Sequence, residues 1–431
     1  MEEDIRASLD QYFPRDTSHH STVPVWCLTP NRSGCLHRFF DTSPLSPSGR
    51  YLACLHLPQE ERPPEPGETA EVVVVDLADG SERTVAETRG WEEQTGANIN
   101  WGKDDHTLLF SDLDTATWAP HCVRLDWPGG EVVRFGRGVS QASPDGRWIL
   151  CTNPAAMRRI QGGVGVVVPD EHVPDNFGLP EDDGLFLTDT ETGDCRLLIS
   201  IREAVERTTP QAELAEYDEW ECYFFNCKWS PQGDRVLFDL RRFPRGLDNR
   251  FNTFAQKMIR CDAFTMKLDG SELHNVVNAT QWAKGGQHIN WFPDGGKLSM
   301  NLDIERHGMR FCQVDRDGKN LRKMLEVPMG TGHPTVHPSG AFLVTDTYVF
   351  ERCAYGDGTT PIRLVELPSG RETILARIRS ETAAQKEYPS MRLDPHPAWD
   401  RSWRYLVFNA FPNGTRRVML ADLKAKIPAA R

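Results

Sequence analysis

The chain has 431 residues, 26% of them charged, and a formal net charge of −13. That acidity excludes non-specific binding to nucleic acid or acidic membranes, and no apolar run approaches the length of a bilayer span. The length would ordinarily suggest two or three domains, unless the fold is one closed ring of small repeated sheets.

The opening stretch, MEEDIRASLDQYFPRD, is acidic and lacks an apolar secretion segment. Eleven cysteines, none in a CxxC pair, read as free thiols of a reducing compartment. Together these predict a cytoplasmic protein. Residues 1–22 read as an arm, a helix or a loose segment, with His19 and His20 solvated. Val23–Leu28 (VPVWCL) is strand-like and stands before the first repeat.

The repeats are aligned on a turn that is clearest at Trp291-Phe292-Pro293-Asp294-Gly295. Proline presets φ in such a turn, and glycine takes the conformation that costs other residues most. Seven copies are centred at Pro47, Lys103, Pro144, Pro231, Pro293, Pro338 and Arg401, spaced 41 to 87 residues apart. Two positions before each centre lies an apolar residue: Leu45, Trp101, Ala142, Trp229, Trp291, Val336 and Trp399. Each copy is followed by another strand-turn-strand, so one unit is about four short strands. Seven such units in register predict an all-β, seven-bladed β-propeller; a β-sandwich has no reason to repeat in register.

In chain order, blade 1 is expected over about 37–88, blade 2 over 97–135 and blade 3 over 138–200, with a long excursion at 153–180. A helical insertion at about 199–221 fills the widest gap, its charge and apolar spacing suiting a helix. Blades 4, 5 and 6 follow over 225–277, 286–327 and 332–376. The last repeat, from Asp394, has room for about three strands. Val23–Leu28 is expected to supply the fourth, closing the ring and removing its edges. Residues 23–431 then form one propeller domain.

Five positions before the turn centres lie Thr42, Asn98, Val139, Asn226, His288, His333 and His396. That position opens the innermost strand of each blade, at the mouth of the central channel. Three imidazoles from consecutive blades should converge there. Three histidines with an open face suit a catalytic divalent ion, and Asp394 or Gln287 would add an oxygen. The same face should carry Arg158, Arg159, Arg241, Arg242, Arg245, Arg250 and Arg306, with Arg38 and Arg392 just upstream of inner strands. A cationic rim in an acidic protein points to an acidic substrate.

The segments QHINWFPDG, GHPTVHPSG and DPHPAW, and the early one opening on His37-Arg38, resemble those of oligogalacturonate lyases. They are also similar to the related propeller lyases that release rhamnose from glucuronate at glycan ends. The resemblance implies a seven-bladed propeller that holds a divalent ion, manganese-like or calcium, and acts on an acidic oligosaccharide. It implies His288 and His396 as metal ligands, with Asp394 where the family has a further histidine and Met391 where it has a glutamine. The family's base, a blade-4 histidine, falls on Asn226.

The chemistry implied is β-elimination next to a uronic acid, in which a cation on the carboxylate offsets the charge that develops as the C5 proton leaves. Arg38, Arg241 or Arg392 would grip the carboxylate. With Asn226 unable to act, His333 is the first candidate for the base, then His37 and Tyr223. A non-catalytic interaction scaffold and a metal-dependent glycan hydrolase are the competing readings.

Overall fold

The computed structural model describes residues 5–247, 258–367 and 369–427; of the residues singled out from sequence, Arg250 and residues 1–4 of the arm lie outside these. Within them the strands form seven four-stranded antiparallel sheets, the blades of a β-propeller. In six blades the strands run in chain order from the axis outward. In the seventh, Val25–Cys27 pairs with Arg417–Asp422, in the register Val25 to Ala421, and completes a sheet begun by Ala398–Trp399 and Tyr405–Ala410. The ring is therefore closed by the strand anticipated at 23–28.

The turn chemistry explains why the units repeat. Gly49, Gly146, Gly233, Gly295 and Gly340 all have φ between +66° and +80°. Each donates its N–H to the carbonyl three residues earlier, as in Gly295 to Phe292 at 2.9 Å. In blade 7 Trp403 takes that place at φ +59°, and its ring packs on Trp399. Six of the seven apolar residues two before the turn centres are buried, and Ala142 is half-buried. Two of the indoles also stitch neighbours together: Trp101 donates to the carbonyl of Pro44 and Trp229 to that of Gln141.

Three segments stand outside the repeat. The arm takes the helical one of its two expected forms: Arg6–Tyr12 is a helix with Leu9 buried, Phe13 is buried after it, and bridges at Arg15 and Ser21 tie the arm to Trp26 and to blade 6. The insertion is a short α-helix, Ile201–Glu206, capped by the Ser200 hydroxyl, then a 3-10 segment, Gln211–Glu219. The inner strand of blade 4 starts at Trp220, earlier than the repeat alone suggested, because it runs on into the blade 3 excursion through a bridge to Phe177. All eleven cysteines are unbridged, and no described helix is long and apolar enough to cross a membrane.

Candidate active site

The inner strand of blade 1 is interrupted. Cys35–Leu36 pairs with Leu55 and His56, and pairing resumes only at Leu45. The intervening residues cross the channel and touch every other blade. Arg38 donates to Asn98 of blade 2, and Gln141 of blade 3 donates to the Asp41 carbonyl. Lys228 of blade 4 lies over the Phe39 and Phe40 rings. Phe39 meets the rings of His288, His333 and His396 of blades 5, 6 and 7 at 6.3, 5.5 and 4.7 Å. The channel is thus plugged, and the plug's aromatic pair is the floor beneath the histidines.

Charge holds the plug in place. Asp41 lies 2.5 Å from Arg38 and 3.2 Å from Lys228, all three side chains buried. Burial alone would raise the Asp41 pKa, but the two cations overbalance it and hold it at about 2. Lys228 is shifted down, because its burial and the nearby Arg38 outweigh Asp41 and Asp239. Asp41→Ala should leave both cations buried without an anion and cost about 3–5 kcal/mol of folding stability. Chemical denaturation reads this directly, and a loss under about 1 kcal/mol would rule out charge as the anchor. Because the folded pKa lies below the unfolded one, the Asp41 contribution is complete above about pH 4 and is lost as pH falls toward 2.

Above this floor the three imidazoles gather. The His333 ring lies 3.9 Å from that of His288 and 4.4 Å from that of His396. Asn98, His288 and His396 share both the repeat position and a φ near +50°. The His288 strand also shifts register between Gln287 and Asn290, a bulge of the kind that re-aims a side chain.

The nitrogens are not equivalent. His288 Nδ1 lies 2.8 Å from the Gly332 carbonyl and so carries the proton; its Nε2 accepts from the Tyr348 hydroxyl at 3.0 Å. His333 Nδ1 sits 2.9 Å from both Asp346 oxygens, so it donates there, which leaves the buried Nε2 without a partner. His396 Nδ1 is also buried and unpartnered, and its Nε2 is 3.9 Å from Asp394. One ligand atom each from His333, Asp394 and His396 lies within 4.8 Å of the others. Orphaned imidazole nitrogens, a carboxylate beside them and a second carboxylate backing His333 could hold a divalent ion. Burial holds the pKa of His333 at about 3 and those of His288 and His396 well below the ordinary value. All three rings are therefore neutral near pH 7, the form that ligates a metal or accepts a proton.

Asp346 is the residue that sequence reasoning missed. Its carboxylate takes the His333 N–H at 2.7 Å, the His333 Nδ1–H, and the His396 N–H at 3.1 Å. Gly332 allows this approach: at φ +67°, a Cβ there would stand 2.2 Å from Asp346 Oδ1. A signal was available. Eight positions after the turn centres lie Leu55, Ser111, Thr152, Asp239, Asn301, Asp346 and Asn409, and the six polar ones are buried. They bond the backbone at the start of inner strands: Ser111 to Val139, Thr152 to Phe225, Asp239 to Asn226, Asn301 to Gly332 and Asn409 to His37.

The remaining residues named from sequence are dispersed. His37 is buried beside His396 with neither ring nitrogen hydrogen-bonded, and its pKa is pushed down to about 3 by burial and by His396. Arg392 lies at the site, but its guanidinium already pairs with Asp394 at 3.2 Å. Arg38 is committed to the plug. Arg241 donates to Gln161 and stacks on Phe225. Arg159 grips the buried Glu221, and Arg158 faces Glu93. The anticipated cationic rim is thus largely paired from within. Tyr223 is not beside the histidines: its oxygen is held by Glu221 at 2.8 Å and by the Asn176 N–H at 3.1 Å, and its ring stacks on Phe243. Asn226 sits in the blade 4 bulge with its N–H on Asp239.

An oligogalacturonate lyase in complex with manganese superposes with a TM-score of 0.61 over 95% of this chain and 96% of that one, at 14% identity. An oligogalacturonate lyase from Vibrio parahaemolyticus gives 0.59 over the same shares at 13% identity. The chain has the fold of the oligogalacturonate lyases. The propeller domain of the trilobed protease from Pyrococcus furiosus also matches, at 0.50 and 11% identity over 89% of this chain and 96% of that one, so the fold is shared more widely than one chemistry. No family model matches the chain. Among curated proteins, the urease β subunit of Rhodococcus jostii is 35% identical over 71 residues, 16% of this chain. The match spans 64% of that subunit, less than two thirds of its length.

Proposed function

We propose that this protein is a carbon–oxygen lyase that cleaves the glycosidic bond next to a uronic acid by β-elimination, of the rhamnosyl-glucuronate or oligogalacturonate type. The observation that carries the reading is the donor set of His333, Asp394 and His396 set against the His288–Tyr348 hydrogen bond at one channel mouth. A divalent ion held by His333, Asp394 and His396 would supply the positive charge that makes the C5 proton of a uronate acidic. The roles read from sequence are then exchanged: His333 belongs with the ligands, and His288 is the imidazole left for proton transfer.

Tyr348 and His288 divide that transfer. Burial holds the Tyr348 pKa well above the ordinary phenol value, so its oxygen keeps the proton that a departing glycosidic oxygen needs. When the hydroxyl turns to the leaving group, the His288 Nε2 lone pair is freed to take the C5 proton. The His288 proton then returns to the Tyr348 oxygen along their hydrogen bond, and both groups are reset. Arg392 orients Asp394, and the Phe39–Phe40 floor excludes water from below.

Incubation with uronate-containing oligosaccharides should release a product with the ultraviolet absorbance of an unsaturated uronate. Tyr348→Phe should lower turnover by about a hundredfold or more with substrate binding retained. New reducing ends without that absorbance would indicate a hydrolase, and neither signal a binding scaffold.

A further inference from the structure

Phe350 is 74% exposed, the most exposed large apolar side chain among the described residues. It is not on a floppy tip. Its ring stacks on Tyr348 at 5.3 Å with the planes 7° apart. The Glu351 N–H closes a turn onto the Tyr348 carbonyl, and the Glu351 carboxylate takes hydrogen bonds from Gln287 and Thr347. The Tyr348 ring is in turn 5.9 Å from that of His288 and 5.6 Å from that of His333. A flat apolar surface is therefore held rigid one ring beyond the catalytic hydroxyl, with one face covered by Tyr348 and the other open. An aromatic ring fixed in water at such a place is the mark of a binding surface rather than of a core.

We infer that Phe350 is a sugar-stacking platform, a subsite that takes the C–H face of the pyranose next to the reacting uronate. A sugar ring matches this surface because it presents a flat apolar patch bordered by hydroxyls, whereas a carboxylate would gain nothing from it. Phe350 stands one aromatic ring beyond Tyr348, which itself borders the imidazoles, so its occupant is the neighbour of the ring under attack. The inference rests on the lyase reading for the identity of that ring and deepens it: the enzyme recognises at least two consecutive sugars, one by charge and one by an apolar face.

The test compares a uronate-containing tetrasaccharide with the free uronic acid, by calorimetric titration and by turnover. Phe350→Ala should weaken tetrasaccharide binding and raise KM by about tenfold, leave kcat at saturation within about twofold, and leave binding of the monosaccharide unchanged. Phe350→Trp should retain wild-type affinity. Tyr355→Ala should behave as wild type, because that exposed aromatic on the same loop is already covered by Arg377. Tetrasaccharide binding unaffected by Phe350→Ala would overturn the subsite and leave the lyase reading standing. Binding that depends on Phe350 without β-elimination would uphold the subsite and defeat the lyase reading. Failure of the wild-type protein to bind either sugar would overturn both.

Discussion

His396→Ala is expected to yield protein without bound divalent metal and with activity on a uronate glycan reduced by about a thousandfold or more. Among the described residues the donor set within 4.8 Å is His333, Asp394 and His396, and a site of three protein ligands cannot spare one. His396 is buried, and no hydrogen bond reaches its Nδ1. The ring therefore makes little structural contribution that alanine would forfeit beyond its packing on Phe39 and His333. Elemental analysis and thermal melting of the same preparation separate the two effects. Full metal content in a folded His396→Ala protein would remove this histidine from the ligands and with it the proposed site.

Asp346→Ala should damage the fold and the site together. Three donors from two blades converge on this one buried carboxylate. Leaving them without an acceptor in a dry environment costs roughly 1–3 kcal/mol apiece, so a loss of about 3–9 kcal/mol is expected. The variant would also free the His333 ring to turn and its Nδ1 proton to move, which lowers metal affinity by about ten- to a hundredfold. Asp346→Asn keeps the shape but presents an amide N–H toward one of the three donors, and should fall between. Denaturation midpoints and a metal titration measure both quantities. Metal affinity within about twofold of wild type would mean that His333 does not need its carboxylate, and so is not a ligand.

The ring was legible in the sequence because turn chemistry is local. A proline and a glycine with positive φ recur in five of the seven turns, an apolar residue stands two positions before every turn centre, and counting these in register counts the blades. The histidine register was legible for the same reason, since one repeat position places His288, His333 and His396 alike. What separates these three histidines was not. It depends on Gly332, Tyr348 and Asp346, which lie outside the pattern that drew attention to the rings. The arginines failed as a guide because sequence shows a charge but not its partner: Glu221 stands 62 residues from Arg159, and both vanish into an internal pair. Tyr223 was misread in the same way, its hydroxyl absorbed by that pair. The plug was invisible because residues 37–43 break the repeat, and a departure from a pattern carries no signal of where the chain goes instead.

The plug and the closing strand together set the order in which this chain can be assembled. Residues 25–43 are made before most of the ring, yet Val25–Cys27, bridged to the arm at Arg15, has no strand of its own blade until Arg417–Asp422 exists. Asp41 and Phe39 likewise wait for Lys228, His288, His333 and His396. Contacts across nearly the whole chain form late, after every loop-closure cost has been met. Until then the outer edge of blade 7 and a phenylalanine pair lie open, surfaces that invite pairing with another copy. The floor of the site is thus laid by residues that must wait for strands made after them.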